Sequence, residues 1–427
     1  MALARDISKR AFREPCSGAD LTEVEMDLHQ TNRSLALRNG QVMSSTSGFD
    51  TPSIRDLLPN LGPFDRLWTL ATGRPRTGTS PLFRSTPWTR LASTLLLLFG
   101  GVAISVQSIN LGGTFALMLP IGWLLTVSGA RRAQIEIYHH CVHGNFCRVK
   151  WIDRLIGETI SLLLVIQSWN EYRHDHVTIH HSHQLATLDD PDLKFLIMLG
   201  FRPKRDRLES WRRLFSVLFS FRLDAYFLYF RLRSNLWSPP AYRKLLTLIV
   251  QGSLLFVVNI LGLWTQYLVA WIFPLTLLYH RSALLQFISE HHWMLVRQPQ
   301  EKMRVYLARL TSARFMGSAP PTSRSVRAWI IWWMQVPWHL FTRFFVIVGD
   351  MPNHDWHHIH ARGDWPNSSW ERLAEVESGA RFSEHYTEIW GLLHSIDLLF
   401  ISLETLPELT GEGDMSYTEL ADVLGGM

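Results

Sequence analysis

Cysteine is scarce: Cys16, Cys141 and Cys147 are the three in a chain of 427 residues. Three thiols cannot build a disulfide framework. Cys141 and Cys147 lie among histidines, on what charge places as the cytosolic side, and are read as reduced. Charge is also sparse, at 19% of residues. With 47% hydrophobic residues, a disordered chain is excluded, as are collagen-like and coiled-coil classes. Lysine supplies only six of the 42 cationic side chains, and no basic tract gathers them. The arginines instead flank apolar segments, so the net charge of +5 is read as membrane topology and nucleic acid is not an expected partner. Met1 to Arg13 hold no apolar core of signal-peptide length, so targeting is expected to fall to internal spans.

Long apolar runs are what the chain does have. Residues 91–130 are almost continuously apolar, about twice the ~20 residues needed to cross a bilayer. A break at Ser108-Ile109-Asn110-Leu111-Gly112-Gly113 divides the run into spans at about 91–109 and 112–130. Arg90 precedes the pair, Arg131-Arg132 follow it, and the turn carries no cation, which puts both outer ends in the cytosol. A second pair repeats the pattern at about 245–262 and 265–283, between Arg243-Lys244 and an arginine at 281. The predicted fold is therefore an all-α integral membrane protein. Four transmembrane helices form two hairpins, with interfacial helices and a cytosolic helical cap. Residues 1–60 are expected to be a mobile cytosolic arm, 61–365 the membrane domain and 366–427 a cytosolic C-terminal cap. The stretches 155–169, 211–231 and 329–348 mix charges with aromatics and suit helices lying at the interface, although 329–348 is long enough for a fifth span.

Histidine is the informative residue. Of 19, fourteen fall in the windows 139–143, 174–183, 291–292 and 354–360. His139 and His143 are four apart and share one face of a helix. This is the spacing of a zinc-protease HExxH motif, but its general-base position is His140, so a protease lacks its base. His176 and His180 repeat the spacing. His181 would lie about 100° round an α-helix from His180, so the doublet can offer one imidazole to each of two neighbouring metals. His354 and His357 are three apart, and His357-His358 form a second doublet. Glu290-His291-His292 follow the second hairpin. Each window lies within reach of a cytosolic span end. Eight or nine imidazoles exceed one tetrahedral zinc site and suit two metals with open positions, though imidazole alone does not name the metal. Asp175, Asp189, Glu290 and Asp355 stand near enough to orient ligand rings. His29, His339, His385 and His394 read as packed or solvated, and His280 as a buried, hydrogen-bonded group within a span.

His139-His140-Cys141-Val142-His143-Gly144-Asn145-Phe146 resembles the first histidine box of the membrane fatty acid desaturase superfamily. His176-Val177-Thr178-Ile179-His180-His181, with Asp190-Pro191-Asp192 behind it, is similar to the second box. His354-Asp355-Trp356-His357-His358 matches the third, HxxHH. Ile288-Ser289-Glu290-His291-His292 is similar to the extra E-H box of alkane hydroxylases. His140 stands where the first box carries an acid, which leaves any role of that acid without its residue. The resemblance covers roughly residues 89–365. It implies a non-haem di-iron centre of two Fe ions, O2 as co-substrate, two electrons per turnover and an apolar tunnel beneath the metals. It implies His139, His143, His176, His180, His181, His291, His354, His357 and His358 as ligands, with His292 the rival of His291. His140, His174, His183 and His360 are adjacent groups outside that set, and no separate acid or base is assigned.

The implied activity is an oxidoreductase that desaturates the acyl chain of a lipid or acyl thioester, with hydroxylation on the same scaffold as the alternative. A multi-pass transporter is the non-enzymatic alternative; it would place its ligands within the spans. No His-Pro-Gly-Gly segment of a fused cytochrome b5 is present, so a separate electron donor is implied: ferredoxin, rubredoxin or cytochrome b5. The basic stretch Arg202–Arg213 is a candidate dock for an acidic donor or for membrane lipids. Both termini and the metal site are expected in the cytosol. Arginine-rich usage points to a bacterial plasma membrane rather than endoplasmic reticulum.

Overall fold

The computed structural model describes residues 52–405, apart from 183, 188, 294, 296–299 and 381. Most of the expected N-terminal arm, the end of the C-terminal cap, His29 and His183 therefore lie outside the described residues. Within residues 52–60, Ile54–Leu57 form a short helix whose buried Arg55 pairs with Asp65 at 2.6 Å.

The chain is mostly helical, and four helices are long and apolar enough to cross a membrane: Pro87–Leu111, Gly113–Val142, Ala241–Ile260 and Trp264–Glu290. The first starts at a capping box in which Thr86 and Thr89 exchange side-chain and backbone hydrogen bonds, with Pro87 at the first helical position. It ends at Gly112 and Gly113, both with positive φ, a turn that residues with a Cβ adopt only with strain. The helix then returns along its partner. Gly101 faces Thr126, Gly122 faces Ser105 and Gly129 faces Leu98, so closely that a Cβ would collide at each. Small residues let two helices approach where lipid supplies no hydrophobic drive between them. Gln266 donates to Asn110 at 2.9 Å and Trp123 Nε1 to the Val269 carbonyl at 2.8 Å, which tie the fourth helix to the first two.

The second and fourth helices continue past their apolar stretches, to Val142 and Glu290, straight into two histidine windows. Polar side chains there pair with one another instead of ending the helix. Arg131 donates to Gln134 and Gln286, Arg132 to Glu136 at 2.8 Å, and Gln286 to Glu290 at 2.9 Å. The second helix's continuation includes a π-helical turn, Ala133–Tyr138, and the fourth helix carries two within its apolar stretch, Leu268–Ile272 and Pro274–Leu278.

Lys150–Leu164, Arg207–Leu218, Phe221–Leu232 and Val326–Phe345 are helices with exposed apolar side chains, among them Trp151, Phe215, Phe221 and Met334. Val326–Phe345 carries Pro337 inside it and is not among the four long apolar helices. Leu392–Thr405 packs Ile396, Leu399, Phe400 and Leu403 into the largest hydrophobic core, against Leu196, Phe201, Leu284 and Ile288. One feature departs from an all-helical plan. Ala313–Phe315 and Glu388–Trp390 form a two-stranded parallel ladder. Three-residue strands carry too little periodicity to be read from a sequence.

Candidate metal centre

The histidines reach one place from four elements. His139 lies in the last turn of the second long helix, and His143 caps it. Gly144, at φ +65°, turns the chain so that Asn145 N bonds the His140 carbonyl at 2.9 Å. His176, His180 and His181 come from a π-helical turn, Arg173–His180, closed by His181 N on the His176 carbonyl at 2.9 Å. The segment is thus π-helical where an α-helix was expected, and the His180 and His181 rings stand 5.9 Å apart with planes at 61°; such turns are frequent at functional sites. His291 follows the fourth long helix in extended backbone, and His354, His357 and His358 lie on the short helix His354–Ile359.

Two groups result. Ring nitrogens of His139, His143, His176, His181 and His357 lie within 4.8 Å of one another, and so do those of His180, His291, His354 and His358. Each doublet is split. His181 and His357 face the first group, His180 and His358 the second. His292 joins neither; its Nε2 meets Ser312 Oγ at 2.8 Å. All nine residues named from the boxes are thus brought together. His174 is exposed, and His360 pairs with Glu375 at 3.0 Å. His280 is buried in a bond to Asp224 at 3.0 Å and away from both groups, His385 pairs with Glu384 at 3.3 Å, and His339 packs beside Leu340 and Met316.

The nitrogens face each other. His139 and His357 meet Nε2 to Nε2 at 2.6 Å, His357 and His181 at 3.2 Å, His180 and His291 at 3.0 Å, and His354 and His358 at 2.9 Å. One proton can serve a single such pair, yet His357 Nε2 faces two partners, and the buried Nε2 atoms of His143 and His176 have none among the described residues. Metal–nitrogen bonds of about 2.1 Å separate neighbouring ligand nitrogens by about 3 to 3.4 Å. The residues present fit a pair of cations.

Electrostatics favours lone pairs over protons in both groups. Burial, then the neighbouring imidazoles, hold His176, His181, His291, His357 and His358 well below the ordinary histidine value, and bring His143 to about 3. His180 is the exception. Burial lowers it, but the Asp190 and Asp192 carboxylates outweigh that and raise it to about 9. Its Nδ1 lies 3.3 Å from Asp190 and 3.4 Å from Asp192, so the proton they favour sits on Nδ1 and leaves Nε2 for the group. Glu290 Oε1 lies 2.9 Å from His354 Nε2.

The remaining acids near the boxes do other work. Asp175 accepts from Gln167 at 2.6 Å and Asp189 from Gln184 at 3.4 Å. Asp355 holds Arg372 by two bonds of 2.9 and 3.0 Å, which anchors the third-box helix to Ser368–Ser378. Asp350, four residues before His354, was not legible in the sequence. It meets His140 Nε2 at 2.8 Å, so an acid does stand beside the first box, supplied from elsewhere in the chain. Asp190 had one signal, its place in the Asp-Pro-Asp that trails the second box.

The sequence model of the family described as fatty acid desaturase matches residues 114–339, more than half of the chain. No curated protein matches the chain, and no solved structure does either. The matched stretch holds three of the four long apolar helices and six of the nine clustered histidines, and the chain belongs to the membrane fatty acid desaturase/hydroxylase superfamily.

Proposed function

We propose that this protein is a membrane-bound non-haem di-iron oxidoreductase that uses O2 and two electrons to desaturate the acyl chain of a lipid or acyl thioester. The observation that carries the reading is the division of both histidine doublets between two adjacent imidazole groups. The nine histidines would hold two Fe ions, and the iron pair would supply the activation of O2 needed to break unactivated C–H bonds. The balance is –CH2–CH2– plus O2, two electrons and two protons, giving –CH=CH– and two waters.

The chain's own residues do the positioning. Burial keeps the imidazoles other than His180 neutral, and the Asp190 and Asp192 carboxylates beside His180 Nδ1 orient that ring. Arg131, Gln134 and Gln286 lock the second and fourth helices together just below the site, so the ligands they carry keep their spacing. Long apolar helices lead to the centre from the bilayer, where an acyl chain is most concentrated. In this reading both termini and the metal site face the cytosol, in a bacterial plasma membrane, and the electrons come from a separate ferredoxin, rubredoxin or cytochrome b5.

Hydroxylation is the second reading, favoured by one observation. The Glu290-His291 segment that resembles the alkane hydroxylase box does place His291 in the second group. Mass spectrometry of acyl lipids and thioesters from cells expressing the chain, against a His357→Ala control, separates the two. A product lighter by two hydrogens supports desaturation; one heavier by one oxygen replaces it with hydroxylation.

A further inference from the structure

A surface recess is joined to the first histidine group by a chain of ring contacts. It has a volume of about 350 Å³, and its walls include Trp88, Asn145, Phe146, Cys147, Arg148 and Trp365. Its floor is an unbroken run of ring contacts. Trp88, about half exposed, meets Phe146 edge-on at 5.2 Å between centroids, and Phe146 meets Trp365 at 6.2 Å. Trp365 is buried and stacks on His140 at 4.4 Å with planes 14° apart. His140 in turn contacts the rings of His139 and His357 at 5.0 and 5.1 Å. Trp365 is held in that pose by its Nε1 bond to the Asn145 carbonyl at 2.9 Å, and His140 by Asp350.

The mouth is basic. Arg148 lines it and Arg362 adjoins it; both are exposed and make no ion pair among the described residues, and Arg148 donates to Asn145 and to the Arg362 carbonyl. Asp364, which lines the recess, and Glu371 are both engaged by Arg84. In the other basic stretch, Arg202–Arg213, Arg207 is paired with Asp397 at 2.6 Å; exposed apolar side chains flank both faces, Phe215, Phe219 and Phe221 there and Val149 and Trp151 here.

The geometry points to this recess as the electron-entry site, where a small acidic one-electron carrier protein docks and passes electrons to the first histidine group through Trp365 and His140. Electron tunnelling falls off exponentially with distance, so stacked rings at van der Waals contact are the short path from surface to group. Trp365 and His140 bridge and are not themselves consumed: one electron leaves the carrier and one arrives at the metal, twice per turnover. Opposite charge at the mouth steers the carrier and sets its orientation. The inference rests on the di-iron reading above.

The test uses full-length protein loaded with iron in zwitterionic and in anionic vesicles, with reduction followed by stopped flow. The two reductants are dithionite and a plant-type [2Fe–2S] ferredoxin, an acidic carrier. Arg148→Glu with Arg362→Glu should raise the half-saturating ferredoxin concentration at least fivefold and weaken its salt dependence. Trp365→Leu should slow reduction by ferredoxin about tenfold, while Trp365→Phe retains most of it. In a Cys16→Ser background, a bulky maleimide on Cys147 should block ferredoxin. Iron content and dithionite reduction should be unchanged throughout. Ferredoxin reduction that ignores these changes, or fails in wild-type protein that dithionite does reduce, overturns the docking site. A defect that depends on vesicle charge identifies the face as a headgroup contact and overturns it as well. Failure of wild-type protein to hold iron, or of dithionite to reduce it, overturns the di-iron reading instead.

Discussion

His181 and His358 stack face to face, centroids 4.2 Å apart and planes 9° apart, although their nitrogens serve different groups. The pair is the partition between the two groups, and each ring fixes the other's tilt. Because each neighbours its doublet partner in sequence, one backbone displacement at either doublet disturbs both groups together.

His357→Ala should therefore lower bound metal in both groups and abolish product. His291→Ala should lower metal content, whereas His292→Ala, which loses the Ser312 contact, should retain it. Metal per chain, measured by elemental analysis of purified variants, checks the contrast. Equal loss in both variants would remove His291 from the ligand set.

Asp190→Asn keeps a side-chain acceptor for the helix start at Asp192 but removes the charge beside His180 Nδ1. Loss of a partner that orients a ligand imidazole typically costs about 10–100-fold in metal affinity. Competition with a chromophoric chelator should show a weakening of that order, without loss of the fold by circular dichroism.

Metal removal should destabilise the whole domain, because the nine clustered histidines come from the second and fourth long helices, the π-helical turn and the third-box helix. At 100 times Kd a ligand stabilises by about 2.7 kcal/mol. The unfolding midpoint in detergent should rise with added Fe(II) and fall with chelator. A midpoint indifferent to metal would argue that the groups are no cation site.

Gly129→Val and Gly101→Val place methyl groups into the backbones of Leu98 and Thr126. Overpacking of this kind typically costs about 1–3 kcal/mol. Gly100→Val, with open space beside it, should cost far less. Folded yield and detergent thermal midpoints distinguish them.

Much of this was written in one dimension. Apolar runs of spanning length, bounded by Arg90, Arg131-Arg132 and Arg243-Lys244, mark the four long helices. Histidine spacing pairs His139 with His143, His176 with His180 and His354 with His357, while the full set of nine, His291 included, came from the resemblance of the boxes. Where a helix goes on past its apolar run was not legible. Arg131 looks like an end, and only Gln134 and Gln286 pairing with it lets the helix reach His139.

Only the tertiary structure decided which imidazole serves which group, that His291 and not His292 turns inward, and that Asp350 stands by His140. Those outcomes depend on contacts between residues 111 to 218 positions apart, and on a π-helical turn whose extra residue no periodicity signals. The sequence by itself determined which atoms are available and on which local face; long-range packing decided which of them meet, because a spacing constrains directions along one helix and says nothing of the helix opposite.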